Sequence, residues 1–128
     1  MRYAVLFYAD EQAMMESMQS PGGIEQHVDA FATWSRDVGE RLKGGAPLAP
    51  SATATTVRVR SGDIITTDGP FAETKEVLAG FQILEAGDLD EAIEIASRNP
   101  IAHGGAVELR PIAEELAAAV AQALSAPS

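Results

Sequence analysis

Residues 68 to 76 read Asp-Gly-Pro-Phe-Ala-Glu-Thr-Lys-Glu, and they gather side chains that a plain turn does not need. Gly69-Pro70 supplies turn geometry by itself. Asp68, Phe71, Glu73 and Lys75 add two carboxylates, an aromatic ring and one of only two lysines in the chain, which is the material of a small polar site. The carboxylate of Asp68 either accepts N–H bonds from its own turn or acts as a general base at a pocket rim. In the second case, burial beside Phe71 raises its pKa toward a useful value. Lys75, turned into a cleft beside Arg58 and Arg110, makes an anion site suited to a carboxylate or enolate-like ligand. Left in water, Glu73, Lys75 and Glu76 are a solvated charge cluster.

The two histidines are less telling. His27 stands one turn before Phe31 and near Trp34, at the border of an apolar stripe. It is either a helix-edge residue or an acid/base partner of Asp68. His103, in Ile-Ala-His-Gly-Gly, reads as a loop residue. With the histidines far apart, no cysteine, and neither EF-hand nor H-x-x-x-H spacing, no metal site is expected. No G-x-S-x-G elbow supports a serine triad, and the Gly-rich stretches lack the length and lysine of a phosphate loop. No cofactor is expected.

The elements that position these residues follow from periodicity. Tyr3 to Tyr8 is continuously apolar, which predicts a strand covered on both faces. Ile24, Val28, Phe31, Ser35, Val38 and Leu42 recur at steps of four and three, predicting a helix over 24–42 that Gly44-Gly45 ends. Residues 44–52 read as a Gly/Pro/Ser loop. Thr53 to Arg60 alternates Val57 and Val59 against Arg58 and Arg60, and a tight turn at Ser61-Gly62-Asp63 leads into Ile64 to Thr67, a hairpin. Ala79 to Ala86 is a further strand. Asp88 with Glu91 forms a capping box for a helix burying Leu89, Ala92, Ile93 and Ala96, which Asn99-Pro100 stops. Gly105 to Pro111 alternates as a last strand, and 112–124 is an Ala-rich helix.

Helices separated by strands in 128 residues imply one domain of α+β class: a ferredoxin-like sandwich, mainly antiparallel, with helices on one face. If the helices cover Val57, Val59, Val107 and Leu109, the opposite face carries Arg58, Arg60, Glu108 and Arg110 beside half of the apolar first strand. A homodimer with its sheets facing each other buries the apolar part and leaves a polar cleft.

A formal charge of −10 repels phosphate backbones and anionic membrane surfaces, so nucleic acid is not an expected partner. No run reaches the roughly 20 apolar residues of a membrane span. The lack of cysteine and of a signal-peptide pattern points to a soluble, cytoplasmic chain.

The motifs in order, DGPFAETKE, AGFQILEA, DLDEAIEIA, the helix-stopping Asn99-Pro100 and GAVELRP, with RYAVLFYADE and ATTVRVR before them, resemble the DGPF branch of the YCII-related family. The resemblance covers nearly the whole chain. It implies a dimeric α+β barrel of ferredoxin-like subunits, without an established reaction. It also implies relatedness in fold to small cofactor-free isomerases and monooxygenases, and a link to extracytoplasmic-function sigma factors. His27 matches the first-helix histidine of the YciI-like branch, but Asn99 stands where that branch commonly has Asp, so only Asp68 remains as a candidate acid for it. Two functions are thus expected: a protein that binds a small organic anion in a dimer cleft, acting as a cofactor-free isomerase, lyase or oxygenase, or a non-catalytic regulatory module that docks a sigma factor.

Overall fold

Alternate side chains of the first strand decide the layering. In β1 (Arg2–Asp10), Tyr3, Val5 and Phe7 are closed off from solvent while Ala4, Leu6 and Tyr8 between them are half-buried. The period of two puts the first set against the helices and the second on the opposite, open face. The structure, a computed structural model, describes residues 1–127. After β1 come α1 (Glu11–Gln19), α2 (Gly23–Val38), β2 (Leu42–Pro47), β3 (Thr55–Arg60), β4 (Asp63–Asp68), β5 (Glu76–Glu85), α3 (Leu89–Ser97), β6 (Ala106–Pro111) and α4 (Glu114–Ser125).

The main sheet is antiparallel in the order β2-β5-β1-β6. With α2 and α3 as crossovers, this α+β arrangement is compatible with a ferredoxin-like fold. Trp34 and Val38 of α2 and Ala92 and Ile95 of α3 close over Tyr3, Val5, Phe7 and Leu84, with Val107 and Leu109 at the margin. Phe7, Phe31 and Trp34 meet edge to face at 5.4–6.0 Å between ring centres, a favoured aromatic geometry. The Trp34 indole N–H donates to the Ile95 carbonyl at 2.9 Å and ties the two helices together.

Four expectations need correction. Helix α2 ends at Val38, where Gly39 takes φ 65°, and not at Gly44-Gly45. Those glycines belong to β2, an edge strand. A side chain at Gly45 would place its Cβ 2.1 Å from the Phe81 carbonyl oxygen, so glycine is what lets β2 pair with β5 there. Second, Val57 and Val59 are not beneath the helices, because β3 and β4 form a separate two-stranded sheet. Third, α1 has no counterpart in the periodicity: it buries no residue and is started by Asp10, whose Oδ1 accepts from Ala13 N at 3.1 Å. Fourth, the buried side of α3 is Ala92, Ile95 and Ala96, with Leu89 and Ile93 about half exposed, because the small alanines let the helix approach the sheet closely. Its capping box is as expected: Asp88 Oδ1 accepts from Glu91 N at 2.9 Å.

The open face joins Ala4 to Arg110 and Leu6 to Glu108 across β1 and β6, and Leu6 to Phe81 across β1 and β5. Glu108 and Arg110 are therefore on the face expected for them, while Arg58 and Arg60 are on the hairpin. Helix α4 stands out from the body. Apart from half-buried Ala117, its residues are exposed, and Arg2 ties down its start by an ion pair in which the Arg2 Nε donates to the Glu114 carboxylate at 3.1 Å. Among the described residues no helix is long and apolar enough to cross a membrane.

Candidate functional site

The hairpin delivers Asp68 to its place. Ser61 and Gly62, both at positive φ, make the tight reversal that pairs Arg60 with Asp63 and Val59 with Ile64. Six residues later the ladder ends with Asp68 opposite Thr55. Gly69 then turns the chain at φ 95°, donating its N–H to the Ala54 carbonyl at 2.7 Å and accepting from the Thr56 hydroxyl at 2.9 Å. The turn is thus closed by backbone and threonine. Among the described residues, the carboxylate of Asp68 accepts no hydrogen bond, from its own turn or elsewhere.

Asp68 lines an open cavity of about 430 Å³ together with Glu11, Ser51, Gly69, Glu73 and Thr74. Glu11 starts α1 directly after β1 and reaches across to the loop before β3. Its two oxygens accept from the Ser51 amide at 2.7 Å and the Ser51 hydroxyl at 2.6 Å. These bonds hold the Glu11 carboxyl below the usual carboxylate range, since both favour the charged form. They also fix one wall of the cavity to the main sheet. The lining carries three carboxylates and two hydroxyls, yet among the described residues no group of acids and histidines has metal-binding geometry.

The other residues singled out from the sequence are dispersed. Glu73 lines the same cavity as Asp68. Phe71 stands 79% exposed and so does not cover Asp68 within this chain. The Lys75 ammonium lies 3.7 Å from Asp10 Oδ2, on a side chain that is 85% exposed. Arg110 pairs with Glu108 on β6, and Arg58 is half-buried on β3. None of the three cations lines the Asp68 cavity.

His27 lines a different cavity, of about 280 Å³, between α1, α2 and the short turn Pro100–His103. The acid in that lining is Asp10, with Met14, Met18 and Gly105 around it. Asp68 and His27 therefore occupy separate cavities on the two sides of the β1–α1 junction. Asn99 is fully buried, its Oδ1 accepting from Ile101 N at 2.9 Å, and it does not line the His27 cavity. His103 is held by the Ser97 carbonyl at 2.9 Å. Glu11 and Ser51 were not foreseen as part of the site. The available signal was an acid at the first position after a strand, followed far along the chain by Pro50-Ser51, and spacing alone does not join them.

An uncharacterized protein of Rhizobium meliloti (strain 1021) is similar to this chain, at 40% identity over 119 residues, covering 88% of this chain and 93% of the relative. The family model of the YCII-related domain matches residues 1–116, from β1 through all four strands of the main sheet to the start of α4. The chain belongs to the YCII-related domain family.

Proposed function

We propose that this protein binds a small organic molecule in the cavity over Asp68, with Asp68 as the proton acceptor of a cofactor-free isomerase, lyase or oxygenase-type reaction. One observation carries this reading: Asp68 lines an open cavity of about 430 Å³, and among the described residues no protein group donates to its exposed carboxylate. A carboxylate serving only the turn has its acceptors filled locally. Glu73, Ser51 and Thr74 supply further acceptors and hydroxyls around it, which favours a ligand rich in hydrogen-bond donors over the anionic one that Lys75, Arg58 and Arg110 would hold. The working unit is a cytoplasmic homodimer. Its support is the open sheet face, where Leu6 and the 38%-exposed Phe81 sit beside the Glu108–Arg110 pair.

The test is a thermal-shift screen of amine-, amide- and polyol-bearing small molecules on wild type and Asp68→Asn. Compounds that raise the midpoint of wild type and not of the variant support the site. No hits, or equal shifts in both proteins, remove it.

A second reading is favoured by the Leu116, Val120 and Leu124 stripe of α4, which is 66%, 50% and 81% exposed. In it, the chain is a non-catalytic module docking an extracytoplasmic-function sigma factor. A purified sigma factor that binds wild type but not Val120→Asp is its expected outcome.

A further inference from the structure

The cross-strand register gives the hairpin two unlike sides. Asp68 opposes Thr55, Thr66 opposes Val57 and Ile64 opposes Val59, and opposed residues project to the same side of an antiparallel pair. One side therefore runs Ile64, Val59, Val57, Thr66, Asp68, from the turn down to the cavity. Its three aliphatic side chains are 74%, 58% and 61% exposed, and the strip ends at Asp68, which lines the cavity. The same chain carries a second unpartnered apolar row, Leu116, Val120 and Leu124 on α4, at the i, i+4, i+8 spacing of a single helix face.

We propose that the two rows cover each other between two copies of the chain: α4 of one copy lies along the hairpin strip of its partner and roofs the partner's Asp68 cavity. The lengths agree. Leu116 to Leu124 spans about 12 Å at about 1.5 Å per residue, and Ile64 to Asp68 about 14 Å at about 3.4 Å per residue. Charge sets the direction. The charged residues of α4 are Glu114 and Glu115 at its start, and everything from Leu116 to Ser125 is neutral. The Asp68 cavity already holds the carboxylates of Glu11, Asp68 and Glu73, so the acidic end of α4 is repelled from it and the neutral end is not. With Leu124 toward Asp68, Glu114 and Glu115 come to the turn end of the hairpin, where the charges of Arg60 and Asp63 oppose each other on the reverse side of the ribbon and offset. This inference rests on the homodimer of the preceding reading and adds to it that each site is closed by the other copy.

The chain contains no cysteine, so single introduced thiols report position cleanly. Two differently tagged full-length chains, one Val59→Cys and one Val120→Cys, are co-expressed and treated with a short bis-maleimide. Both positions are exposed, so neither change threatens folding. The expected result is a mixed covalent dimer at least tenfold more abundant than the cross-linked product of either variant alone. Sedimentation of wild type at twice the 13.4 kDa chain mass, with no enrichment of the mixed product, overturns the clasp and leaves the homodimer standing. A chain that sediments as a monomer overturns both. Leu116→Asp combined with Val120→Asp is the second check: dimer dissociation must become at least tenfold easier, and an unchanged dimer overturns the clasp.

Discussion

Tyr3, Val5 and Phe7 in the main sheet are at most 1% exposed, whereas Val57, Val59 and Ile64 in the hairpin are 58% or more exposed, although both sets alternate along strands in the same way. The difference is in what faces them. Beneath β1 the chain supplies its own cover, two helices locked together by Trp34, so that side of the main sheet is a closed core. Among the described residues nothing covers Val57, Val59 and Ile64, and the hairpin is held at its base by Gly69, Ala54 and Thr56 and, through the loop before it, by Glu11 and Ser51. Apolar side chains at every second position thus make a core in one place and an exposed arm in the other, and the candidate site lies where the two join.

The sharpest way to break this contrast is to attack the core. Trp34→Ala removes a ring that touches Phe7 and Phe31 and orphans the Ile95 carbonyl. Equilibrium urea unfolding should register a loss of about 3–5 kcal/mol, a large share of the total for one domain. A loss below about 1 kcal/mol would mean that the core is not organised around this residue.

The joint comes next in size. Its folded-state carboxyl is held low, so the Glu11–Ser51 latch contributes above the ordinary glutamate value of about 4.3 and is lost as pH falls through the depressed value. Amide exchange at Ser51, corrected for its intrinsic pH dependence, should lose protection several-fold on acidification through that window. Glu11→Gln, whose amide oxygen can still accept from the Ser51 N–H but does not titrate, should show no such step, with global unfolding little altered. An acid step that persists in Glu11→Gln would assign the latch to another group.

The smallest effect belongs to the arm. Asp68→Asn, which breaks no hydrogen bond among the described residues, should leave stability within about 0.5 kcal/mol of wild type by urea unfolding. A loss above about 1 kcal/mol would show that the carboxylate is structural after all.

Much of the closed region was legible because its signals are local. The apolar run of β1, the Asp88 capping box and the alternation in Gly105 to Pro111 each specify an element within ten residues or so. Strand β2 was not legible, because Gly44-Gly45 is also what ends a helix, and only the close approach to the Phe81 carbonyl reveals its use in a sheet edge. Helix α1 was missed for a related reason: its inward apolar side is only the half-buried pair Met14 and Met18, too short a stripe to mark a helix. At the site, Asp68 and Glu73 were legible from the company they keep around Gly69-Pro70. The partition of His27 into a second cavity with Pro100 and Ile101, and the recruitment of Glu11 by Ser51, depend on contacts between distant parts of the chain that no local pattern records.

Trp34 is also the chain's one tryptophan, and its indole is shut away among Phe7, Phe31 and the Ile95 carbonyl. Nature has in effect installed a single optical label inside the body and none on the arm. Its emission follows melting of the interior and is silent to whatever the hairpin does, so ligand or partner events at the arm can be followed with an added dye in a separate spectral channel.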